Sequence, residues 1–480
     1  MDEIKLSDDV FEQIKDFNYW NLTKEQESLI DKLITDKELK GCYEKYGLCK
    51  ECKQLNTDHF YCWSCKSQYF KQNFKNWTSG NHDVDEFIQK AQLKARIVNK
   101  IIEWIEYDKF DDVEYLAKGG FGTTFKAVWI DGPIWGWDYY NNQWKRDDEA
   151  EVALKCLHNS LDIAADFLKE VESNILVYDS GVTVRCFGIT KDPKTNNFIM
   201  VMDLKKGGLR QYLNYNFISL NWKQKVENLC NITFGLRDIH NKGFIHHDFH
   251  CGNILSDFND VSFVTDLGLC QPTNIKFSQT SNKKIYGVLP YVAPEVLRGK
   301  EYTQKSDIYG FGIIAYEICT GFPPYHDIPH DEFLAMKICK GLRPKSNYKT
   351  PQLIVSTINQ CWDADPLKRP NANELHNLIH DLWIAFINDK NVDSIIHEEA
   401  KEADEINKKT FFPVQLPLSS TSTLSYITHP QAVYTSRLLD FKNLPEPKNA
   451  DKNDDLEYSD SLKMDFAKLD INSKGDYFCM

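Results

Sequence analysis

The sequence predicts an α+β protein, and three observations support this prediction. Apolar residues recur at helical spacing between positions 84 and 107, which predicts one amphipathic helix over residues 84–107. A glycine-rich turn at residues 117–122 lies between two apolar stretches of strand type, and the apolar run at 198–202 is also typical of a strand. Two Cys-x-x-Cys pairs lie close together within residues 42–70, which predicts a small metal-binding knuckle.

The composition is that of a folded protein with more than one domain. The chain has 480 residues, of which 42% are hydrophobic and 13% aromatic, and this argues against disorder throughout. The formal net charge of -13 argues against nucleic-acid binding over the whole surface. We expect no membrane span, because no apolar run is long enough, and no signal peptide, because the acidic N-terminus lacks an apolar core. The 14 cysteines are spread thinly outside the knuckle, so we expect a cytoplasmic or nuclear rather than a secreted protein.

Shifts in composition divide the chain into five segments. Residues 1–41 are polar, with one helical stretch around Lys24–Leu39, and the knuckle and the linker helix come next. Residues 109–386 form the longest segment in which apolar residues recur at the spacing of strands and helices. Residues 387–480 are rich first in Ser, Thr and Pro and then in Asn, Asp and Lys, so they are predicted to be a largely disordered tail.

The knuckle is predicted to bind one structural zinc ion. Its candidate ligands are Cys49, Cys52, Cys62 and Cys65. Four thiolates from two tight turns suit tetrahedral zinc and leave no coordination position for a reactive water. Cys42 and His59 are spare candidate ligands, and four unrelated free cysteines are the alternative.

Three short motifs succeed one another in the second half of the region 109–386. They are His-His-Asp at 246–248 followed by Asn253, Asp-Leu-Gly at 266–268, and Ala-Pro-Glu at 293–295. Asp248 could accept a proton from a hydroxyl group, and Asn253 and Asp266 offer the oxygen ligands that magnesium prefers. Since the order and spacing of such motifs continue from residue 116 to residue 370, the chain resembles a protein kinase.

The resemblance implies a bilobal fold over residues 109–386, with a small β-rich lobe and a large helical lobe. It implies ATP and Mg²⁺ as cofactors, Asp248 as the catalytic aspartate, and Lys155 as the lysine that grips the α- and β-phosphates. Glu170 resembles the helix glutamate that holds this lysine, with Glu172 as a competitor. Magnesium would be held by Asn253 and Asp266.

The same resemblance implies an ATP pocket between the lobes. Gly119 and Gly122 of the turn would lie over the phosphates, and Met202 would border the back of the pocket. The backbone of the hinge at residues 203–205 would form hydrogen bonds with adenine. Leu116, Ala153 and Leu255 would pack against the two faces of the purine. The residues implied are Leu116, Gly119, Gly122, Ala153, Lys155, Met202, Asp203, Lys205, Asn253, Leu255 and Asp266. Ala117 replaces the first glycine of the family pattern.

The catalytic loop departs from the family pattern. The usual arginine before the catalytic aspartate is His247, the lysine of serine/threonine kinases is His250, and their threonine before Ala-Pro-Glu is Val288. The loop is nearest to the tyrosine-kinase-like group, most of whose members phosphorylate Ser or Thr, and Tyr291 also favours Ser/Thr. Because His247 lacks the planar fork of arginine, we expect that phosphorylation of the loop 267–294 is not the main activating switch.

The layout of knuckle, kinase-like region and tail resembles a family of kinase-like proteins expanded in mycorrhizal fungi. We expect a protein kinase that transfers the ATP γ-phosphoryl group to Ser/Thr hydroxyls of protein substrates in intracellular signalling. The alternative is a pseudokinase or zinc-containing scaffold that binds ATP weakly. Candidate docking sites for a protein partner are the knuckle, the tail and the aromatic-rich insert at residues 130–149, which could instead fold back on the small lobe.

Overall fold

The computed structural model describes residues 6–119, 122–157, 163–178, 181–273, 285–387, 395–411 and 426–450. The helices in these ranges are α1 Asp8–Ile14, α2 Lys24–Leu33, α3 Lys37–Tyr46, α4 Trp63–Asn73, α5 His82–Lys94, α6 Ile163–Val177, α7 Leu209–Asn216, α8 Trp222–Asn241, α9 Pro294–Leu297, α10 Gln304–Thr320, α11 Glu332–Cys339, α12 Gln352–Cys361, α13 Ala372–Ile387 and α14 Ile395–Phe411. The strands are β1 Glu103–Trp104, β2 Phe110–Lys118, β3 Gly122–Trp129, β4 Ile134–Asp138, β5 Gln143–Arg146, β6 Ala150–Leu157, β7 Cys186–Lys191, β8 Phe198–Asp203, β9 Gly207–Gly208, β10 Phe244–Ile245, β11 Ile254–Ser256, β12 Ser262–Val264, β13 Gln271–Pro272, β14 Ile285–Gly287 and β15 Arg437–Leu439.

The predicted bilobal α+β fold is confirmed. The small lobe is a six-stranded sheet in the order β1-β7-β8-β6-β3-β2, with α6 as its helix. Strand β6 alternates in the way a two-sided sheet requires: Val152 and Leu154 are fully buried in the core on one face, and Ala153 and Lys155 lie on the other. This register directs Lys155 towards the interlobe cleft.

The large lobe packs its helices around α10, on which every residue from Ser306 to Thr320 is buried. A helix that is buried on all sides forms the centre of a core, unlike an amphipathic surface helix. The three-stranded sheet β12-β11-β9 lies beside this core, and its turns carry the catalytic motifs. Among the described residues, none of the helices has the length and apolar character needed to cross a bilayer.

The N-terminal segment is more ordered than its polar composition predicts. Its few apolar side chains form one cluster, made of Leu6, Ile14, Ile30, Ile34 and Tyr43. The predicted stretch Lys24–Leu39 is two helices, because the side chain of Asp36 accepts hydrogen bonds from two backbone N–H groups and starts α3 there. Residues 6–46 therefore form a small helical unit.

The predicted linker helix over residues 84–107 is too long. Helix α5 ends at Lys94, and the following residues are extended except for one short turn. The apolar side chains beyond it serve three separate cores: Val98 packs with the knuckle, Ile102 with α5 and α6, and Ile105 with the small-lobe sheet. A straight helix could not reach all three, and β-branched residues favour the extended conformation.

The predicted disorder of the tail does not hold for two parts of it. Helix α14 packs on the large lobe through Ile396, Ala400 and Ala403, which are buried in its core. Residues 426–450, here called the tail segment, also lie on the large lobe, with Leu439 and Leu444 buried. The buried residues of α14 follow helical spacing within a polar sequence, whereas the apolar residues of the tail segment are scattered and show no period. Residues 412–425 and 451–480 lie outside the described residues.

Candidate active site and metal centre

A lysine that bridges two carboxylates connects the lobes. Nζ of Lys155 lies 2.7 Å from Oε1 of Glu170 and 2.7 Å from Oδ1 of Asp266. Helix α6 turns Glu170 inwards because Phe167 and Val171 on the same face are buried, whereas Glu172 is exposed. Burial lowers the pKa of Lys155, but the two carboxylates outweigh this effect and raise the pKa above its ordinary value. The lysine is therefore held as a cation in the cleft.

Gly268 allows this arrangement. A β-carbon at Gly268 would lie 2.4 Å from Oε2 of Glu170, so a larger residue would displace the glutamate. Asp266 has left-handed backbone dihedrals (φ 64°, ψ 61°), which aspartate tolerates better than most residues. The motif Asp-Leu-Gly therefore combines a carboxylate in an unusual backbone conformation with the space that Glu170 needs.

The hairpin β11–β12 brings the two proposed magnesium ligands together. Ile254 pairs with Val264, so Asn253 and Asp266 lie at the same open end of the hairpin, and the Thr265 N–H donates to the Asn253 carbonyl over 3.0 Å. Nδ2 of Asn253 donates to the Asp248 carbonyl oxygen over 2.9 Å. The amide oxygen of Asn253 and the carboxylate of Asp266 fit Mg²⁺, which prefers hard oxygen ligands.

Asp248 is buried beside several histidines. Nε2 of His250 lies 3.3 Å from its Oδ2, and the hydroxyl of Ser436 in the tail segment donates to the same oxygen over 2.5 Å. Burial raises the pKa of Asp248, but His250, Ser436 and His246 outweigh it, so the pKa lies below the ordinary value for aspartate. The carboxylate is thus ionised and able to accept a hydrogen bond from a hydroxyl group.

Asp307 of α10 holds the backbone of the catalytic loop. Its carboxylate accepts hydrogen bonds from the N–H groups of His246 over 2.8 Å and His247 over 3.2 Å. The ring of His240 lies 2.9 Å from the same carboxylate. Gly310, one helical turn later, leaves room for the loop, since a β-carbon there would lie 2.5 Å from the Phe249 carbonyl oxygen. The loop is therefore fixed by backbone contacts that do not depend on its unusual side chains.

His247 is half-buried in the position where the family usually has arginine. Its φ is 70°, its ring packs on Tyr302 at 4.9 Å, and its Nε2 has no hydrogen-bond partner among the described residues. Burial lowers the pKa of His247 further than Asp307 raises it. The ring is therefore neutral and offers no fixed cation to a phosphorylated loop. The loop residues Ser278, Thr280 and Ser281 lie outside the described residues.

The predicted nucleotide-binding residues come from both lobes. Met202 is buried in the core cluster against which Ala153 and Leu255 pack, whereas Leu116 is exposed on β2. The side chains of Asp203 and Lys205 in the hinge pair with each other at 2.6 Å.

The glycine-rich turn is tight. The Gly119 N–H donates to the Gly122 carbonyl oxygen over 2.8 Å, and a β-carbon at Gly122 would lie 2.5 Å from the Cys156 carbonyl oxygen. Gly122 is thus required by the close approach of β6.

Comparison with known proteins agrees with this geometry. The sequence profile of the family described as protein tyrosine and serine/threonine kinase matches residues 111–379, more than half of the chain. The chain belongs to this kinase family. The matched residues contain both lobes, from strand β2 to helix α13.

Curated relatives are kinases of mixed specificity. A probable serine/threonine-protein kinase of Dictyostelium discoideum is 28% identical over 56% of this chain and 16% of its own length. The probable serine/threonine-protein kinase roco5 of the same organism is 32% identical over 57% of this chain and 10% of its own length. The tyrosine-protein kinase SPK-1 of Girardia tigrina is 27% identical over 55% of this chain and 52% of its own length. The chain thus covers about half or less of each relative.

The knuckle in front of the kinase domain brings the four predicted cysteines together. Their sulfur atoms lie within 4.8 Å of one another, with 3.8 Å between Cys49 and Cys65 and 3.5 Å between Cys52 and Cys62. A zinc tetrahedron with Zn–S bonds of about 2.3 Å has S···S edges of about 3.8 Å. The cluster therefore fits zinc. Cys42 and His59 are not in it, and His59 stacks on Trp20 instead.

The insert packs mainly on the knuckle, and it also meets the small lobe, where Arg146 pairs with Glu103 of β1. It forms the hairpin β4–β5, and the Trp137 N–H donates to the Phe60 carbonyl oxygen over 3.1 Å. Nζ of Lys66 lies 3.5 Å from the centre of the Trp137 ring, and Trp144 packs on Phe70 at 5.2 Å. Most of the aromatic side chains of the insert therefore pack between the knuckle and the small lobe. Trp135 and Tyr140 remain exposed.

One residue in the active site was not predicted from the sequence. Ser436 lies 188 positions after Asp248 and belongs to no recognisable motif. Only the path of the tail segment over the large lobe shows that its hydroxyl reaches the catalytic loop.

Proposed function

We propose that the chain is an active protein kinase that transfers the γ-phosphoryl group of MgATP to Ser/Thr hydroxyls of protein substrates in intracellular signalling. The observation that carries this proposal is the bridge from Lys155 to Glu170 and Asp266, with Asp248 and Asn253 on the adjoining loop. A pseudokinase would have no need to keep all five groups in mutual reach.

Each residue has a distinct role in the proposed reaction. Lys155 binds the α- and β-phosphates, and Glu170 fixes its position. Asn253 and Asp266 hold magnesium, which neutralises the charge on the phosphates when bound. Asp248 orients the acceptor hydroxyl and takes its proton. Positioning and charge stabilisation thus supply the catalysis.

A preference for Ser/Thr is supported by Tyr291 and by the likeness of the catalytic loop to the tyrosine-kinase-like group, most of whose members phosphorylate Ser or Thr. The lysine that serine/threonine kinases usually have beside the catalytic aspartate is absent, and His250 places a ring nitrogen 3.3 Å from that carboxylate in its stead. The mixed names of the relatives do not decide between hydroxyl types.

We also propose that Cys49, Cys52, Cys62 and Cys65 bind one structural zinc ion. The support is the tetrahedral spacing of their sulfur atoms. The described cysteines are all free thiols, which agrees with a reducing compartment such as the cytoplasm or nucleus. The exposed aromatic side chains of the insert, Trp135 and Tyr140, are the part of it that could contact a protein partner.

A transfer assay with radiolabelled ATP and generic protein substrates tests the kinase proposal. We expect Asp248→Asn to reduce the rate by about a hundredfold or more, because it removes the proton acceptor. The matched control is Asp381→Asn, which makes the same change at an exposed site on α13 and should retain the wild-type rate. A wild-type protein that transfers no faster than Asp248→Asn would contradict the proposal and favour the pseudokinase scaffold.

A further inference from the structure

The tail segment, residues 426–450, takes a continuous path across the large lobe and past the catalytic loop. The hydroxyl of Tyr434 donates to the Pro324 carbonyl oxygen over 2.9 Å, and its ring lies 4.2 Å from the guanidinium of Arg210. The His330 ring nitrogen Nδ1 lies 2.9 Å from the Val433 carbonyl oxygen. The segment is thus held on the N-terminal side of Ser436 by specific polar contacts.

On the C-terminal side of Ser436 the segment adds a strand to the kinase domain. Strand β15 pairs antiparallel with β14 in the register Arg437 to Gly287, Leu438 to Tyr286 and Leu439 to Ile285. Strand β14 lies in the loop between the Asp-Leu-Gly and Ala-Pro-Glu motifs. Strand addition fixes the register of an extended peptide through its backbone. The residue just before this pairing, Ser436, therefore has a defined position.

This position places the side chain of Ser436 beside the proposed catalytic carboxylate, Asp248. The Ser436 hydroxyl donates to Oδ2 of Asp248 over 2.5 Å, and Nε2 of His250 lies 3.1 Å from the same hydroxyl oxygen. The Gly252 N–H donates to Nδ1 of His250, so in the neutral ring the hydrogen is on Nε2 and points to Ser436. The hydroxyl thus donates to the catalytic carboxylate, as an acceptor hydroxyl does before transfer, and it also accepts a hydrogen bond from the imidazole.

We propose that Ser436 is a phosphorylation site of this chain, modified by its own kinase domain within the same molecule. This inference rests on the proposed function, because it requires that the domain transfers phosphoryl groups. In the step, the Ser436 oxygen forms a bond to the γ-phosphorus of a nucleoside triphosphate. The bond from that phosphorus to the β–γ bridging oxygen breaks, and the nucleoside diphosphate leaves. The hydroxyl proton passes to Asp248 and then to solvent.

The product would not remain where the acceptor was bound. A phosphoserine carries a charge of about -1.5 to -2 at neutral pH, and at Ser436 it would lie beside the ionised carboxylate of Asp248. Like-charge repulsion in this buried site favours release of the tail segment. Modification would therefore clear the groove that the unmodified segment fills, and protein substrates would enter after a delay.

The test uses the full chain with magnesium and γ-labelled ATP. We expect mass spectrometry to place phosphate on Ser436 and the rate per molecule to stay constant over a hundredfold dilution, since the acceptor is in the same molecule. Ser436→Ala should remove this phosphate. The matched control is Thr435→Ala, which changes the neighbouring, exposed hydroxyl and should leave phosphorylation of Ser436 unchanged.

The outcomes separate this inference from the proposed function. Transfer to an added generic substrate without phosphate on Ser436 would overturn the inference and leave the proposed function standing. A rate per molecule that rises with protein concentration would overturn modification within one molecule. A protein that transfers phosphate to no acceptor at all would overturn both. A synthetic peptide of residues 429–444 that is phosphorylated on the serine would support the inference independently of the folding of any variant.

Discussion

At the scale of single residues, the catalytic loop keeps its geometry although two of its usual side chains are histidines. Asp307 binds the backbone N–H groups of residues 246 and 247, so the loop shape does not depend on the side chains at those positions. His250 stands where serine/threonine kinases usually have lysine, and its ring nitrogen Nε2 takes the place of the lysine amine beside Asp248. His247, in contrast, is neutral and half-buried, and it takes over none of the ionic contacts of an arginine. The first change keeps a ring nitrogen beside Asp248, and the second is the basis for the prediction that phosphorylation of the loop 267–294 is not the main activating switch.

A buried ion pair in the large lobe leads to a stability prediction. Arg369 contacts Glu295 through two hydrogen bonds of 2.7 and 2.8 Å, and both side chains are buried. Arg369→Ala would strand the glutamate charge, so we expect a loss of about 3–5 kcal/mol in the free energy of unfolding. Urea denaturation of the large lobe measures this loss.

The control for this prediction is an exposed pair on α5. Lys90 and Glu86 lie 2.6 Å apart with 62% and 51% of their side chains exposed, so Lys90→Ala should cost no more than about 1 kcal/mol. Equal losses in the two variants would contradict the argument that burial makes the Arg369 pair costly to break.

The sequence predicted residues that belong to spaced motifs and missed those placed by distant parts of the chain. The pairing of Lys155 with Glu170 was implied by the resemblance to kinases, and helical periodicity favoured Glu170 over Glu172. The space at Gly268 and the hydroxyl of Ser436 depend on groups from other elements. No local pattern records such contacts, because they arise only when the elements pack.

At the scale of elements, apolar periodicity was misleading where one stretch serves several cores. The residues after α5 keep a helical spacing, but Val98, Ile102 and Ile105 are buried in three different clusters. The insert shows the opposite case. Its aromatic density indicated a contact surface correctly, but that surface meets the knuckle of the same chain. Composition thus predicts that a segment binds something and leaves the partner open.

The packing of the insert on the knuckle predicts the effect of losing zinc. Structural zinc sites couple metal binding to local folding, so a chelator should unfold residues 42–70 and also release the hairpin β4–β5, whose Trp137 and Trp144 pack there. We expect faster hydrogen exchange in both segments and little change in α10. Metal analysis of the untreated protein should give about one zinc per chain.

Cysteine variants provide the control for the zinc prediction. Cys62→Ser should abolish zinc binding, whereas Cys42→Ser, outside the cluster, should keep the full amount. Exchange that rises in the knuckle while the hairpin stays protected would show that the insert does not depend on the metal centre. A stoichiometry near zero with four reactive thiols would count against the site itself.

At the scale of the whole molecule, two sets of contacts within the chain surround the candidate active site. From within, Lys155 of the small lobe reaches Asp266 of the large lobe. From outside, the tail segment runs over the large lobe, and a β-carbon at Gly341 would lie 2.4 Å from the Ala450 backbone nitrogen. The proposed nucleotide site thus involves both lobes, and a ligand bound there should stabilise the assembled lobes.

This coupling predicts a thermal shift with MgATP. A ligand that binds only the folded state at a concentration of a hundred times its Kd stabilises that state by about 2.7 kcal/mol, or roughly 5–10 °C for a domain of this size. Asp266→Ala removes a magnesium ligand and the partner of Lys155, so the shift should fall to less than half. Asp381→Ala, the same change at the exposed site on α13, should keep the full shift. A wild-type protein whose melting temperature does not change at millimolar MgATP would contradict the proposed nucleotide site, whereas a shift that Asp266→Ala retains in full would place the nucleotide elsewhere in the molecule.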